Sequence, residues 1–142
     1  MRKKIVILIF LLSIHLNGTK LYIFEDSISA NHWGEKHSLR SWEDAVEHCR
    51  ESYTDLTSLL SETEIQLAQN HIRRYKITEP VWISLRYLGD LWLWVNGDPL
   101  VYTAWSPNRD TRCPVLNPCG ALTEEGHWEE RDCLEKLKFI CI

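Results

Sequence analysis

The stretch Cys119-Gly-Ala-Leu-Thr-Glu-Glu-Gly-His-Trp-Glu-Glu-Arg-Asp-Cys133 carries the most structural information in the chain: two cysteines bracket a strand pattern centred on Trp128. Cys141 follows shortly after, and Cys49 stands far upstream. Four cysteines placed in this way read as a disulfide framework, provided that the compartment is oxidising.

The N-terminal segment supplies that compartment. Arg2, Lys3 and Lys4 precede an apolar run from Ile5 to Leu12, the basic head and short apolar body of a secretory signal. The run is shorter than the about 20 residues that a membrane span needs. Residues 1–18 are therefore expected to be a signal peptide, and 19–142 one secreted, extracellular domain, large enough to bury a core of its own. Loss of the three basic residues leaves 13 of the 16 Lys+Arg against 20 Asp+Glu, a net charge of −7. That sign disfavours nucleic acid and anionic lipid as partners. The sequon Asn17-Gly18-Thr19 straddles the expected cleavage point.

Outward from the cysteines, the mature chain divides into two textures. Leu21–Phe24 reads as a first strand, and residues 29–40 show no readable pattern. Ser41 caps a helix whose Trp42, Ala45, Val46 and Cys49 share one face. Ser61-Glu-Thr-Glu64 is a capping box that opens a second helix, with an apolar stripe at Ile65, Ala68 and Ile72. Arg73, Arg74 and Lys76 suit its C-terminus, although sulfated glycans are another use for such cations. After Pro80 come short β-rich pieces, Val81–Leu85 and Leu91–Val95. Asn96-Gly97 reads as a hairpin turn with Tyr102–Trp105 as the returning strand. Residues 106–118 form a long irregular loop, and Ala121-Leu122, the Trp128 region and Lys138–Ile142 close the sheet.

These pieces, in this order, resemble the C-type lectin-like domain over residues 20–142. The resemblance is carried by the Ser-Trp-x-x-Ala-x-x-x-Cys helix ending at Cys49, the Trp-Ile-Ser-Leu strand at 82–85, and the Cys-x13-Cys spacing before Cys141. It implies an α+β fold with two helices flanking antiparallel sheets, a long irregular loop, and the bridges Cys49–Cys141 and Cys119–Cys133. Four cysteines alone allow three pairings, so this choice belongs to the resemblance. The family's extra N-terminal cysteine pair is absent, as in short-form domains.

The resemblance also implies recognition of a glycan or a protein. Members of the family bind sugar through Ca²⁺ that bridges protein oxygens and sugar hydroxyls, and two motifs supply those oxygens. Where a Glu-Pro-Asn or Gln-Pro-Asp triplet belongs, this chain has Arg109-Asp110-Thr111. A shifted reading keeps Pro107-Asn108 but places Ser106 where the carboxylate should be. The Trp-Asn-Asp motif stands as Trp128-Glu129-Glu130. Asn108, Arg109, Asp110, Glu125, Glu129 and Glu130 are thus the candidate ligand-binding residues, with Glu124 as a further oxygen source. Asn108, Glu125, Glu129 and Glu130 are the candidate set for an altered calcium site, calcium being the one cofactor implied. A solvated acidic loop is the plainer reading.

Other candidates weigh less. Trp82, Trp105 and Trp128 are expected in the core, whereas Trp92 and Trp94, on one face of their strand, are left open. Cys113 is the unpaired fifth cysteine: it can stay free, exchange with Cys119, or link two chains as a disulfide dimer. Adjacent residues on a helix do not face each other, so His48-Cys49 is no catalytic dyad. Cys113, Cys119 and His127 lack zinc-site spacing. Nothing in the chain argues for an enzyme. Two functions remain: a recognition module that contacts its ligand through the 106–118 loop without the usual calcium chemistry, or a calcium-dependent lectin with an altered site.

Overall fold

The computed structural model describes residues 22–23, 39–109 and 116–142. The expectations for the signal peptide, for residues 29–38, for Asp110 and for Cys113 lie outside them. Among the described residues six strands and two helices follow one another as β1 (Tyr22–Ile23), α1 (Trp42–Ser52), α2 (Glu62–Arg74), β2 (Val81–Leu88), β3 (Leu91–Trp94), β4 (Cys119–Leu122), β5 (Trp128–Arg131) and β6 (Lys138–Cys141).

Both helices begin where their caps demand. Ser41 accepts a hydrogen bond from the Asp44 amide at 3.4 Å, and Ser61 from that of Glu64 at 3.3 Å. The Glu64 carboxylate reaches back to the Leu60 amide, one residue outside the usual box partner. Trp42, Ala45, Val46 and Cys49 bury one face of α1, while Ile65, Ala68 and Ile72 bury one face of α2.

Strand β2 is the organising element, because it pairs with three others. At its start Val81 and Trp82 run parallel to Lys138 and Phe139 of β6, and antiparallel to Leu122 and Ala121 of β4. Farther along, Arg86 pairs with Cys119, after a register irregularity that begins beyond Trp82. Gly120 sits beside that irregularity, and a Cβ there would lie 2.7 Å from the Leu85 Cβ, so β2 and β4 approach this closely only because position 120 has no side chain. Outside this core, β1 adds to β6 and β5 to β4, both antiparallel.

Alternation along β2 sends its side chains into two cores. Val81, Ile83 and Leu85 pack with α2, Leu122, Trp128 and Ile140, whereas Trp82 packs with α1, Ala121 and Phe139. Burial of each large apolar side chain contributes about 1.5–3 kcal/mol. Two of the buried indoles are hydrogen-bonded: Trp42 Nε1 donates to the Ile83 carbonyl, and Trp82 Nε1 to that of Arg40, each at 2.9 Å.

The two bridges are Cys49–Cys141, which ties α1 to β6, and Cys119–Cys133. On chain-entropy grounds the short loop stabilises by about 3 kcal/mol and the long one by about 4.5 kcal/mol.

One expectation is overturned. The hairpin turn lies at Gly89-Asp90, where both residues have positive φ (56° and 64°), and it folds β3 directly onto β2 with Leu88 opposite Leu91. Strand β3 therefore already has its partner before Asn96-Gly97 is reached. Those two residues do turn, with the Gly97 amide donating to the Trp94 carbonyl at 3.1 Å and Gly97 at φ 89°. No strand returns, because Tyr102–Ala104 is irregular and Trp105 makes only a single parallel bridge, to Trp128.

Candidate functional site

Backbone hydrogen bonds set the site on the start of β5. The Trp128 amide donates to the Ala104 carbonyl at 2.7 Å and the Ser106 amide to the Trp128 carbonyl at 3.0 Å. The Arg109 amide then closes a turn onto the Ser106 carbonyl at 3.2 Å. Chain 104–109 is thereby fastened alongside β5, and Arg109 arrives beside Glu130.

Its guanidinium does two things there. It forms an ion pair with the Glu130 carboxylate, and it lies over the Trp105 ring with Cζ 4.3 Å from the centroid. Trp92 stands 6.0 Å from the same Cζ and 4.7 Å from the Trp105 centroid, and Tyr87 meets Trp92 at 5.4 Å. Below them Trp128 is fully buried, with Trp94 and Trp105 set at nearly right angles to it, 5.2 and 5.6 Å away. The Trp128 Nε1–H has no hydrogen-bond acceptor among the described residues, and in such edge-to-face packing the π faces are its neighbours. Trp82 and Trp128 are core residues as expected, while Trp105 is only half-buried. Of the two tryptophans left open, Trp94 is buried and Trp92 half-buried.

The acidic candidates separate. Glu130 belongs to Arg109, whereas Glu129 pairs with Arg131 at 3.3 Å, and Arg131 is also held by Glu135 at 2.6 Å. Burial pushes the Glu129 carboxyl above its ordinary range, and Arg131 opposes that shift only in part. Glu125 is exposed on the turn that joins β4 to β5. Hydrogen bonds from its own amide and from the Thr123 hydroxyl hold its carboxyl below the usual range. Asn108 is exposed in the turn between Ser106 and Arg109.

A calcium site needs about 6 to 8 oxygens around one point. Among the described residues no three His, Cys, Asp or Glu side chains converge to hold a metal ion. Of the four-residue calcium set, Glu129 and Glu130 are engaged by different arginines, and Glu125 and Asn108 are exposed in two separate turns.

Two participants were not singled out from sequence, Tyr87 as a neighbour of Trp92 and Trp92 as a neighbour of Arg109. With the hairpin turn placed at Gly89-Asp90, Tyr87 and Trp92 become direct cross-strand partners, so that dipeptide was the signal that could have found them.

The lectin C-type domain family matches residues 38–142. The chain belongs to the C-type lectin domain family. Lectin domains of this kind are recognition folds. One relative is the human secretory phospholipase A2 receptor, 32% identical over 105 residues that make up 71% of this chain and 7% of the receptor. The chain thus corresponds to a small part of that relative's length. The C-type lectin lectoxin-Lio1 of Erythrolamprus poecilogyrus is 30% identical over 72% of this chain and 67% of its own length. Among solved structures, human lithostathine superposes with a TM-score of 0.66 at 24% identity, covering 72% of this chain and 83% of that one. A mouse scavenger receptor C-type lectin carbohydrate-recognition domain does so with a TM-score of 0.63 at 26% identity, covering 74% and 83%. No described helix is long and apolar enough to cross a membrane.

Proposed function

We propose that this C-type lectin domain is exported by its 1–18 leader, acts outside the cell, and takes its ligand on the face made by Arg109, Trp105, Trp92 and Glu130, without a bridging calcium ion. The observation that carries the reading is the seat of Arg109. Its guanidinium is already paired with the Glu130 carboxylate, which a bridging calcium ion would have to take from it. It also covers a face of Trp105, so a sugar ring cannot stack there unless Arg109 moves.

The residue types favour a protein ligand over a sugar. Arg, Trp and Tyr are the side chains that most often dominate protein interfaces, and here Arg109, Trp105, Trp92 and Tyr87 adjoin one another. Asn108 and Asp110 flank Arg109 in sequence and complete the proposed contact surface. A disulfide dimer through Cys113 would present two such faces.

A glycan array probed with calcium and with chelator tests the central claim. The expected result is no calcium-dependent sugar binding. Sugar retention that chelator abolishes, and that Glu130→Gln also abolishes, would establish the altered calcium site of Asn108, Glu125, Glu129 and Glu130 instead.

A further inference from the structure

The two disulfides differ in access and in electrostatic surroundings. Cys49 and Cys141 are both fully buried. In the short bridge Cys119 is fully buried, but Cys133 is partly open to solvent. A thiolate arriving from solvent can therefore reach one sulfur of the short bridge, and the sulfur that must leave is Cys119.

That leaving sulfur has a cation beside it. Arg86 lies opposite Cys119 in the β2–β4 register, and its Nη1 is 3.4 Å from the Cys119 Sγ. The guanidinium is held over the Trp42 ring at 4.9 Å, and only 17% of the side chain is exposed. Its sole carboxylate partner among the described residues is Glu43, 3.5 Å away and 77% exposed, so solvent screens that pair. Arg86 Nε is buried without an acceptor among the described residues. A disulfide sulfur is a poor acceptor, whereas a thiolate is a strong one. Cys133 is provided for as well: its Sγ lies 3.3 Å from the Asn117 carbonyl oxygen, which can accept a hydrogen bond from a thiol.

We propose that Cys119–Cys133 is a thiol-exchange site, opened at Cys133 Sγ by a small thiol, with Arg86 holding the departing Cys119 thiolate. In the first step the thiolate RS⁻ bonds to Cys133 Sγ as the Cys119–Cys133 bond breaks, and its electron pair leaves on Cys119. The product is a mixed disulfide at Cys133 and a Cys119 thiolate facing Arg86. A second RS⁻ attacks the mixed disulfide at the small thiol's sulfur, releasing RSSR and the Cys133 thiolate, which takes a proton from water. Thiol–disulfide exchange is faster when the leaving thiol is a weaker base, which is what a neighbouring cation makes of Cys119.

The test uses the full secreted chain with any free thiol capped by N-ethylmaleimide beforehand. Glutathione is then added in graded amounts, the reaction is quenched with isotopically heavy N-ethylmaleimide, and tryptic peptides are mapped over time. Glutathione is expected on Cys133 and not on Cys119, with Cys49–Cys141 intact throughout. Arg86→Gln is expected to slow opening by about three- to tenfold, and Arg86→Lys by less, because it keeps the charge. Retention of Cys49–Cys141 in each variant serves as the check on folding, and if Arg86→Gln does not fold, Arg86→Lys and the wild-type site preference decide. Glutathione on Cys119, simultaneous opening of both bridges, or an unchanged rate in a folded Arg86→Gln would each overturn the proposal.

Discussion

Arg109 and Glu130 offer a measurable account of what holds the candidate site together. Removing the guanidinium with Arg109→Ala loses two contacts at once, the stack on Trp105 and the ion pair with Glu130. A cation–π contact contributes about 0.5–1 kcal/mol when exposed and about 2 kcal/mol when desolvated, and an exposed ion pair about 0.2–1 kcal/mol. The Arg109 side chain is 35% exposed and that of Glu130 15%, so both contacts fall in the middle of those ranges. Their sum places Arg109→Ala at about 1–2 kcal/mol of lost stability. Glu130→Gln loses only the charge, about 0.5–1 kcal/mol, and the double variant should lose less than the two single losses added, by about 0.5 kcal/mol. For a domain of this size 1 kcal/mol corresponds to about 3–5 °C in Tm. Thermal unfolding of the four proteins at low and high salt measures the cycle, and high salt should shrink the coupling while leaving most of the stacking loss. Strictly additive variants, or a coupling indifferent to salt, would refute the idea that Arg109 acts as the local cation for Glu130.

Two further outcomes follow from geometry and burial. Gly120→Ala should destabilise by about 2–3 kcal/mol in urea unfolding, because the new methyl meets the fully buried Leu85 and neither strand can retreat without breaking pairs; a loss under about 0.5 kcal/mol would mean that β2 and β4 give way easily. Glu129→Gln should be more stable than wild type at pH 7. The folded carboxyl titrates above its unfolded value, so wild type loses stability as pH rises through the folded pKa, and the advantage of the variant should vanish below about pH 4. Equal stability gaps at pH 4 and pH 7 would contradict that assignment.

What could be read from sequence, and what could not, divides along the range of the interactions. Ser41 and Ser61 act within one turn of their own helices, so the starts of α1 and α2 were legible residue by residue. The disulfide pairing was not readable from the cysteines themselves and came through the resemblance. Both Gly89-Asp90 and Asn96-Gly97 have turn chemistry, and local propensity does not say which one pairs strands. That choice was made by β2, whose residues 85–88 align with 91–94 only around the first turn. The ligand candidates show the same limit. Glu129 and Glu130 are adjacent and chemically identical in the sequence, yet they reach different arginines, one two residues away and the other 21 residues back. Arg109 was legible as a charge conflict at a calcium position, but its seat on Trp105 needed the fold.

The pairing of β1 with β6 places Tyr22 opposite Cys141, so the polypeptide enters and leaves this domain along the same edge. Cys141 is in turn fastened to α1, which anchors that edge to the interior. A unit built this way behaves as a closed bead whose two attachment points are neighbours. It can be strung in series or inserted into another chain without forcing its neighbours apart, and breathing within the bead does not change the spacing between what lies on either side. The same geometry makes residues 22 and 142 natural points at which to join the ends and open the chain elsewhere.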